Sequence, residues 1–535
     1  FATVQVPSGL PRMIVLPSED DKTELILLEE VIERNIDKLF LNYDIICAHP
    51  FRIMRNADLT IDEDEAADLL KEIERQIKKR QWGEVIRLEA SEDMDKKLLD
   101  ILLSELGCRE EDVYKIPGPL DLTFLMKFYK LEGYSHLKVP EHVPVKIESL
   151  TYDKDIFARI RKGDVLLHHP YESFEPVVDF IRQAARDPQV LAIKQTLYRV
   201  SGNSPIIAAL ETAAENGKQV TVLVELKARF DEENNIVWAR KLEKAGCHVI
   251  YGLLGLKTHC KITLVVRNEE DGIRRYVHLG TGNYNDQTAK LYTDLGLLTC
   301  ADTIGEDATA VFNMLSGYSE PKSWHRLVMA PLWLKDRFLE LIDRERENAL
   351  LGKPARIIAK FNSLCDPDII KALYMASMAG VKIELIIRGI CCLKVGIPGV
   401  SDNISVRSIV GMFLEHSRIY YFENAGHPRV FLSSADWMPR NLERRVELLF
   451  PIDDEALRER VRGILDIMLS DNMKAQFMNP DGSYSKLDRR GKDKLSCQEY
   501  FKKQAKELEE ENRPDDYNKS RIFIPETSLG REEDQ

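Results

Sequence analysis

An internal duplication constrains this chain more than any other feature of its sequence. The segment Pro205-Ile206-Ile207-Ala208-Ala209-Leu210, followed by Gly217-Lys218-Gln219-Val220-Thr221-Val222-Leu223-Val224, has a later counterpart. That counterpart is Asp368-Ile369-Ile370-Lys371-Ala372-Leu373, followed by Gly380-Val381-Lys382-Ile383-Glu384-Leu385-Ile386-Ile387. Ile206/Ile369, Leu210/Leu373 and Gly217/Gly380 share one offset of 163, so the register holds through a helix, a glycine cap and a strand. Downstream, each copy carries a basic H-x-[KR] signature on a further strand: Lys257-Thr258-His259-Cys260-Lys261 and Glu415-His416-Ser417-Arg418. A polar loop follows each, Gly280-Thr281-Gly282-Asn283-Tyr284-Asn285 and Ser433-Ser434-Ala435-Asp436. One unit used twice is the economical reading. Chance similarity between α/β segments would account for the helix and strand, but hardly for the histidines as well.

The flanking texture agrees with α/β layers. Val190–Lys194, Val220–Glu225 and His248–Tyr251 read as strands, alternating with helices over Pro205–Asn216 and near Ile236–Lys244. Residues 1–145 read differently, as an α+β head. Glu24–Asn42 (Leu25, Leu28, Val31, Ile32, Ile36, Leu39), Ala66–Lys79 and Asp95–Leu106 have helical periodicity, and Pro140 and Pro144 punctuate a boundary. At 535 residues the chain is too long for one core. The expected division is a head over 1–145, a first α/β domain over 146–326, a second over 327–480 and a charged segment over 481–535. In that segment Leu495–Glu510 reads as a solvated helix and the last twenty residues as lacking fixed structure.

On a strand, residues i and i+2 point the same way. His259 and Lys261 would therefore share a face with Lys257, while Thr258, Cys260, Ile262 and Leu264 line the core, and His416 pairs with Arg418 in the same fashion. A single such motif is more simply a solvated basic edge. Two copies inside a duplicated unit favour chemistry, and the chemistry they suit is phosphoryl transfer. A neutral imidazole attacks phosphorus without first losing a proton. An adjacent cation neutralises the charge that develops on the phosphoryl group. The second histidine could protonate a leaving oxygen or position a phosphate. Arginines gather in the same segments: Arg199 and Arg229 in the first unit, Arg388, Arg418, Arg440, Arg444 and Arg445 in the second. Arg388 falls at the C-terminal end of an apolar strand, where α/β sheets place ligands, and the guanidinium fork suits phosphate. Ordinary salt bridging is the competing reading for Arg229, beside Glu225, Asp231, Glu232 and Glu233.

The formal charge of −13 excludes a uniformly basic nucleic-acid binder, but not a polyanion enzyme, because a polyanion is held by a local field inside a cleft. Nine scattered cysteines without a C-x-x-C pair read as buried or incidental thiols in a reducing cytoplasm. No apolar run approaches the ~18 residues of a membrane span. The chain starts at Phe1, without a basic leader and apolar core, and reads as a trimmed fragment in the cytoplasm. Peripheral membrane association stays open.

From the first residues to about 480 the sequence closely resembles bacterial polyphosphate kinase, the family that phosphorylates its own histidine. The resemblance is carried by Leu197-Tyr198-Arg199-Val200, Glu225-Leu226-Lys227-Ala228-Arg229-Phe230-Asp231-Glu232-Glu233, Gly255-Leu256-Lys257-Thr258-His259-Cys260-Lys261 and the loop from Gly280 to Asn285. Leu291-Tyr292-Thr293-Asp294, Ile387-Arg388-Gly389, Gly399-Val400-Ser401-Asp402-Asn403-Ile404 and Ser433-Ser434-Ala435-Asp436-Trp437-Met438 extend it. It implies two duplicated phospholipase D-like α/β domains behind the α+β head. It also implies reversible transfer of the γ-phosphate of ATP to the end of a polyphosphate chain, with magnesium. His259 would be the phosphorylated nucleophile and His416 the second essential histidine, with Lys261 and Arg418 beside them. Tyr292, Arg388 and His416 would contact the nucleotide, and Arg440 and Arg445 further phosphates. Arg199 and Arg229 match positions that the family associates with magnesium. An arginine should not ligate a cation, so they are expected on the phosphate oxygens around it.

The family resemblance suggests a homo-oligomer, dimer or tetramer, with ATP/ADP and inorganic polyphosphate as substrates and no nucleic acid. Two departures stand out. The phospholipase pattern places an Asp five residues after the Lys of H-x-K, and here Val266 stands there; Asp294 is the acid expected to orient His259 instead. Family chains also begin with a helical domain that contributes to nucleotide binding, and this sequence is expected to lack it. A phosphodiesterase or nuclease of the phospholipase D type, using the same paired histidines, is the alternative. A non-catalytic polyphosphate-binding protein is a third reading, disfavoured by the intact histidine pair.

Overall fold

A computed structural model of the chain describes residues 1–18, 22–56, 69–80, 82–150, 154–228, 231–253, 255–317, 321 and 323–511. Arg229, residues 66–68 of the expected helix at Ala66, and the last twenty residues lie outside that set. The chain divides into two compact units, Phe1–Glu141 and His142–Gln535.

In the first unit, a three-stranded sheet (Phe51–Arg55, Val85–Ser91, Val113–Ile116) packs Leu88 and Ala90 against Leu102 of the helix Lys96–Leu106. That helix begins where expected. The Asp95 carboxylate accepts from Lys97 N at 2.9 Å and Leu98 N at 3.2 Å, and Gly107 closes the helix in the left-handed region at φ 65°. The helix expected over Glu24–Asn42 is shorter: Glu24–Leu27 is a strand paired with Met13–Leu16, and only Leu28–Arg34 is α-helical. A hairpin partner takes up the Glu24–Leu27 backbone groups, so long-range pairing overrides the local period.

The second unit contains the duplication. In one sheet the order is Leu414–Glu415, Tyr292–Thr299, Gly272–Gly280, Lys261–Glu269, Val190–Leu197, Gln219–Val224 and His248–Ile250, with Val165–His169 also on Tyr292–Thr299. In the other it is Lys257–Thr258, Arg445–Pro451, Arg429–Ser433, Ile419–Phe422, Arg356–Phe361, Lys382–Ile387 and Ile404–Ile409, then Ala475–Met478 and Tyr484–Lys486, with Val328–Ala330 on Arg445–Pro451. The two orders match strand for strand up to Ala475–Met478 and Tyr484–Lys486, which only the second sheet adds. The helices Pro205–Glu215 and Pro367–Met378 each start with a side-chain cap, Ser204 and Asp366, and bury Ile206 and Leu210 or Ile369 and Leu373. Gly217 (φ 77°) and Gly380 (φ 100°) make the turns into the following strands, a conformation that costs glycine little.

The two halves share one apolar core: Ile262, Leu264, Leu279 and Leu295 of the first pack in a cluster with Ile419, Tyr421, Leu432 and Leu448 of the second. The helix expected to be solvated, observed as Cys497–Glu511, is not: it buries Cys497, Gln498, Phe501 and Ala505, and Phe501 packs against the rings of His168 and Tyr171. Its charged residues occupy only the outer face. Among the described residues no helix is long and apolar enough to cross a membrane.

Candidate active site

The continuous strand expected through Lys257–Leu264 is broken at the histidine. Lys257 and Thr258 run parallel to Arg445 and Val446 of the other half's sheet, and Lys261–Glu269 joins the sheet of its own half. His259 N and Cys260 N both donate to Val446 O at 2.9 Å, so two residues oppose one carbonyl and the chain turns from one sheet to the other. The buried Glu225 carboxylate holds the approach, accepting from Thr258 N at 2.7 Å and Lys227 N at 2.9 Å. The other half repeats the crossing: Leu414 and Glu415 run parallel to Tyr292 and Thr293, and Ile419–Phe422 returns to its own sheet.

Each histidine therefore meets an acid of the opposite half. His259 Nδ1 lies 2.9 Å from both carboxylate oxygens of Glu447, and His416 Nδ1 lies 2.8 and 2.9 Å from those of Asp294. The expectation that Asp294 orients His259 is corrected: Asp294 serves His416, because the strand that carries it pairs with the His416 crossing. Glu447 also accepts from Ser434 Oγ at 2.5 Å and Asn441 Nδ2 at 2.6 Å, and Asp294 from Thr281 Oγ1 at 2.8 Å. Burial pushes the Glu447 carboxyl up, while Lys261, Arg445, Ser434 and Arg418 work to keep it ionised. Burial with the opposing pull of His416, Arg418 and Thr281 leaves Asp294 below the usual carboxylate range. A carboxylate on Nδ1 assigns the proton there and leaves Nε2 with its lone pair. Burial holds His259 well below an ordinary histidine, reinforced by Lys261, Arg445 and Arg418, and burial pushes His416 down to about 4. Both imidazoles are neutral around pH 7.

Cations surround this pair. Lys261 is buried, donates to His259 O and lies over the Tyr198 ring at 5.5 Å, and desolvation pushes its ammonium down to about 7. The Tyr198 ring meets that of His259 edge-on at 4.9 Å. Arg418 crosses between the halves: its Nη1 donates to His416 O at 2.8 Å and Thr281 O at 3.2 Å, while its Nε lies 3.2 Å from Asp436. Asp436 accepts from Asn362 Nδ2 at 2.9 Å, and Asn362 Oδ1 accepts from Arg388 Nε at 2.6 Å, so one chain of polar contacts joins His416 to Arg388. The ring of Tyr292 is 5.5 Å from that of His416. Arg445, half-buried, pairs in register with Lys257, and its charge acts on His259. Arg440 is exposed on the helix Pro439–Glu443. Arg199 sits next to Tyr198 and pairs with Asp231 at 3.0 Å.

Sequence reading passed over Glu447 and Lys360. Glu447 interrupts the apolar run Val446–Phe450 at the position that Asp294 takes in its own strand: each acid follows its hydroxyl partner, Ser434 or Thr281, by 13 residues. Carrying the repeat past the loops finds it. Lys360 is buried, donates to Ser417 Oγ at 2.8 Å and Ser417 O at 3.1 Å, and pairs with Glu415 at 3.2 Å, which grips the chain on both sides of His416. Only a lysine inside the apolar strand Arg356–Phe361 signalled it. Behind Asp294 a small cavity is lined by His169, His278, Asn283, Gly282 and Gly296.

Three family models match: the polyphosphate kinase middle domain over 1–128, C-terminal domain 1 over 155–321 and C-terminal domain 2 over 327–498. The chain is 60% identical to a polyphosphate kinase of Halalkalibacterium halodurans over 492 residues, 91% of this chain and 70% of that protein. It is 51% identical to one of Lactiplantibacillus plantarum over 540 residues, 100% of this chain and 74% of the relative. The crystal structure of a polyphosphate kinase from Porphyromonas gingivalis superposes with a TM-score of 0.80 at 33% identity, covering 94% of this chain and 74% of that one.

Proposed function

The chain belongs to the polyphosphate kinase family, and on that premise we propose a mechanism in which His259 carries the phosphoryl group between ATP and polyphosphate. The enzyme is an ATP:polyphosphate phosphotransferase. The alternative, a phosphodiesterase working through the same histidines, draws no support from the relatives.

His259 Nε2 attacks the γ-phosphorus in line as the bond to the ADP oxygen breaks, leaving ADP and an N–P bond. Glu447 supports this step by holding the Nδ1 proton while positive charge builds on the ring. Lys261, Arg418 and Arg445 face the charge on the transferring group, where fixed cations in a dry site stabilise it without rearranging. The terminal phosphate oxygen of polyphosphate then attacks the phosphohistidine and restores the imidazole. His416, neutral and with its Nε2 3.1 Å from Arg418 Nη1, gives up that contact to accept the proton of a protonated terminal phosphate as that oxygen attacks, and returns it in the reverse direction. Tyr292 and Arg388 hold the nucleotide, and Arg440 lies further out along the phosphate path. Magnesium enters with the nucleotide as part of the substrate. Arg199 and Arg229 would meet the phosphate oxygens around the ion, since a guanidinium offers no lone pair to a metal.

We assign a head to 1–145, the catalytic halves to 146–326 and 327–480, and a charged segment to 481–535, in a cytoplasmic homo-oligomer of two or four chains. Light scattering checks the oligomer. The observation that carries the mechanism is the reciprocal pairing His259–Glu447 and His416–Asp294. With γ-labelled ATP and magnesium, the enzyme should take up acid-labile, base-stable label that His259→Ala abolishes. Label surviving in His259→Ala would remove His259 from this role.

A further inference from the structure

The strands Arg356–Phe361 and Lys382–Ile387 pair in parallel, and the ladder continues past both ends. Gly389 N donates to Asn362 O, Leu364 N to Ile390 O and Cys392 N to Leu364 O, each at 2.8 Å, and Leu364 bridges Cys391. One step on in that register, Cys365 stands across from Cys392. Residues opposed on neighbouring strands are about 4.8 Å apart, inside the Cα separation that a disulfide spans (about 4.4–6.8 Å), and their side chains share a face. Both are free thiols, and each is near enough for its charge to act on the other. Cys391 points to the other face, with its Sγ 3.7 Å from Leu393 O.

We propose that Cys365 and Cys392 form a reversible disulfide that couples oxidation by hydroperoxides to the grip of Arg388 on the nucleotide. Cys392 is exposed and Cys365 half-buried, which sets the order of events. The Cys392 thiolate attacks one peroxide oxygen, the O–O bond breaks, and protonation of the departing oxygen gives water and a sulfenic acid. The Cys365 sulfur then displaces hydroxide from that sulfenic acid, and its own proton converts the hydroxide to water. In sum two thiols and one hydrogen peroxide give one disulfide and two waters. Burial pushes the Cys365 thiol up to about 11, as suits the resolving partner and not the attacking one.

The consequence runs along four residues of backbone. Arg388 and Asn362 sit on the same two segments as Cys392 and Cys365, joined by the Arg388 Nε to Asn362 Oδ1 bond of 2.6 Å. Forming the bond fixes the sulfurs about 2.05 Å apart, and the segments must follow. Little slack takes up the shift: a Cβ on Gly389 would already lie 2.8 Å from Asn362 O and 2.9 Å from Ser363 Oγ. This part rests on the reading of Arg388 as a nucleotide-binding residue.

The test uses the whole chain, treated with hydrogen peroxide and digested with trypsin without reductant. A cross-linked pair of peptides containing Cys365 and Cys392 is expected, reversed by dithiothreitol, kept in Cys391→Ser and lost in Cys392→Ser. The KM for ATP should rise several-fold on oxidation of wild type and Cys391→Ser, and stay unchanged in Cys392→Ser. Linkage through Cys391, or oxidation to sulfinic acid without linkage, overturns the site. Linkage with an unchanged KM, where Arg388→Ala does raise it, overturns the coupling alone. If Arg388→Ala also leaves the KM unchanged, the nucleotide reading of Arg388 fails and the coupling falls with it.

Discussion

Replacing Glu447 by glutamine keeps the shape of the side chain and removes its charge, so it asks whether this carboxylate prepares the nucleophile. Both oxygens are committed: one accepts from Asn441 Nδ2 at 2.6 Å, the other from Ser434 Oγ at 2.5 Å, and both face His259 Nδ1 at 2.9 Å. An amide must turn its NH2 toward one of these donors. Ser434 can receive it only by leaving its own hydroxyl proton without an acceptor, because its oxygen already accepts from Leu448 N at 3.0 Å. An unsatisfied buried donor costs about 1–3 kcal/mol, and a hydrogen bond to a group that gains charge is worth about 1.5–3 kcal/mol. A net loss of about 3 kcal/mol at the transition state corresponds to a fall of about 10²-fold in kcat. The assay is the single-turnover rate of His259 labelling from γ-labelled ATP, with the melting temperature recorded to show that the variant folds. ATP affinity should stay near wild type. Labelling at the wild-type rate in folded Glu447→Gln would refute the reasoning. So would Asp294→Asn abolishing the label while Glu447→Gln does not, since that is the pattern expected if Asp294 oriented His259.

Other consequences can be measured in the same preparations. With Lys261 at about 7, the ammonium that attracts phosphate is charged below that pH and neutral above it. In the free enzyme kcat/KM for ATP should fall as pH rises through about 7, while kcat, read with phosphate beside the amine, holds to higher pH; a flat kcat/KM profile contradicts this. Gly282→Ala would put a Cβ 2.2 Å from Asp294 Oδ2, so the carboxylate must leave His416, and turnover should drop at least about tenfold for a stability cost of about 1–3 kcal/mol. Wild-type turnover in Gly282→Ala would show that Asp294 is dispensable. Lys360→Met strips Glu415 of its buried partner and should destabilise by about 3–5 kcal/mol by chemical denaturation, with activity lost below that midpoint; a change under about 1 kcal/mol would deny Lys360 its anchoring role.

The repeat was legible because helix, cap and strand are local features with strong periods, and Ile206, Leu210 and Gly217 mark them with their partners 163 positions on. Strands such as Val190–Leu197 and Gln219–Val224 were found for the same reason. What escaped depends on distant pairing. The crossing at His259 comes from the backbone of Arg445 and Val446, and nothing within Lys257–Leu264 announces it. The alternation rule assumed an unbroken strand through His259 and Lys261 and could not say which acid would lie opposite, because Glu447 is 188 positions away. The last helix looked solvated from its charge, yet Cys497, Phe501 and Ala505 at helical spacing form a narrow buried stripe whose partners, His168 and Tyr171, lie far away in the sequence.

The exchange of edge strands between the halves also decides when, in the life of one chain, chemistry can begin. The ribosome releases His259 well before Glu447, and at about 5–20 residues per second the gap of 188 residues lasts roughly 10–40 s. Until then the first half has neither the parallel strand that bends its histidine into place nor the carboxylate that holds its proton. A nascent or clipped chain ending before Val446 thus contains the nucleophile in sequence but not in working form. On the proposed mechanism, labelling of His259 would report that synthesis had passed Glu447.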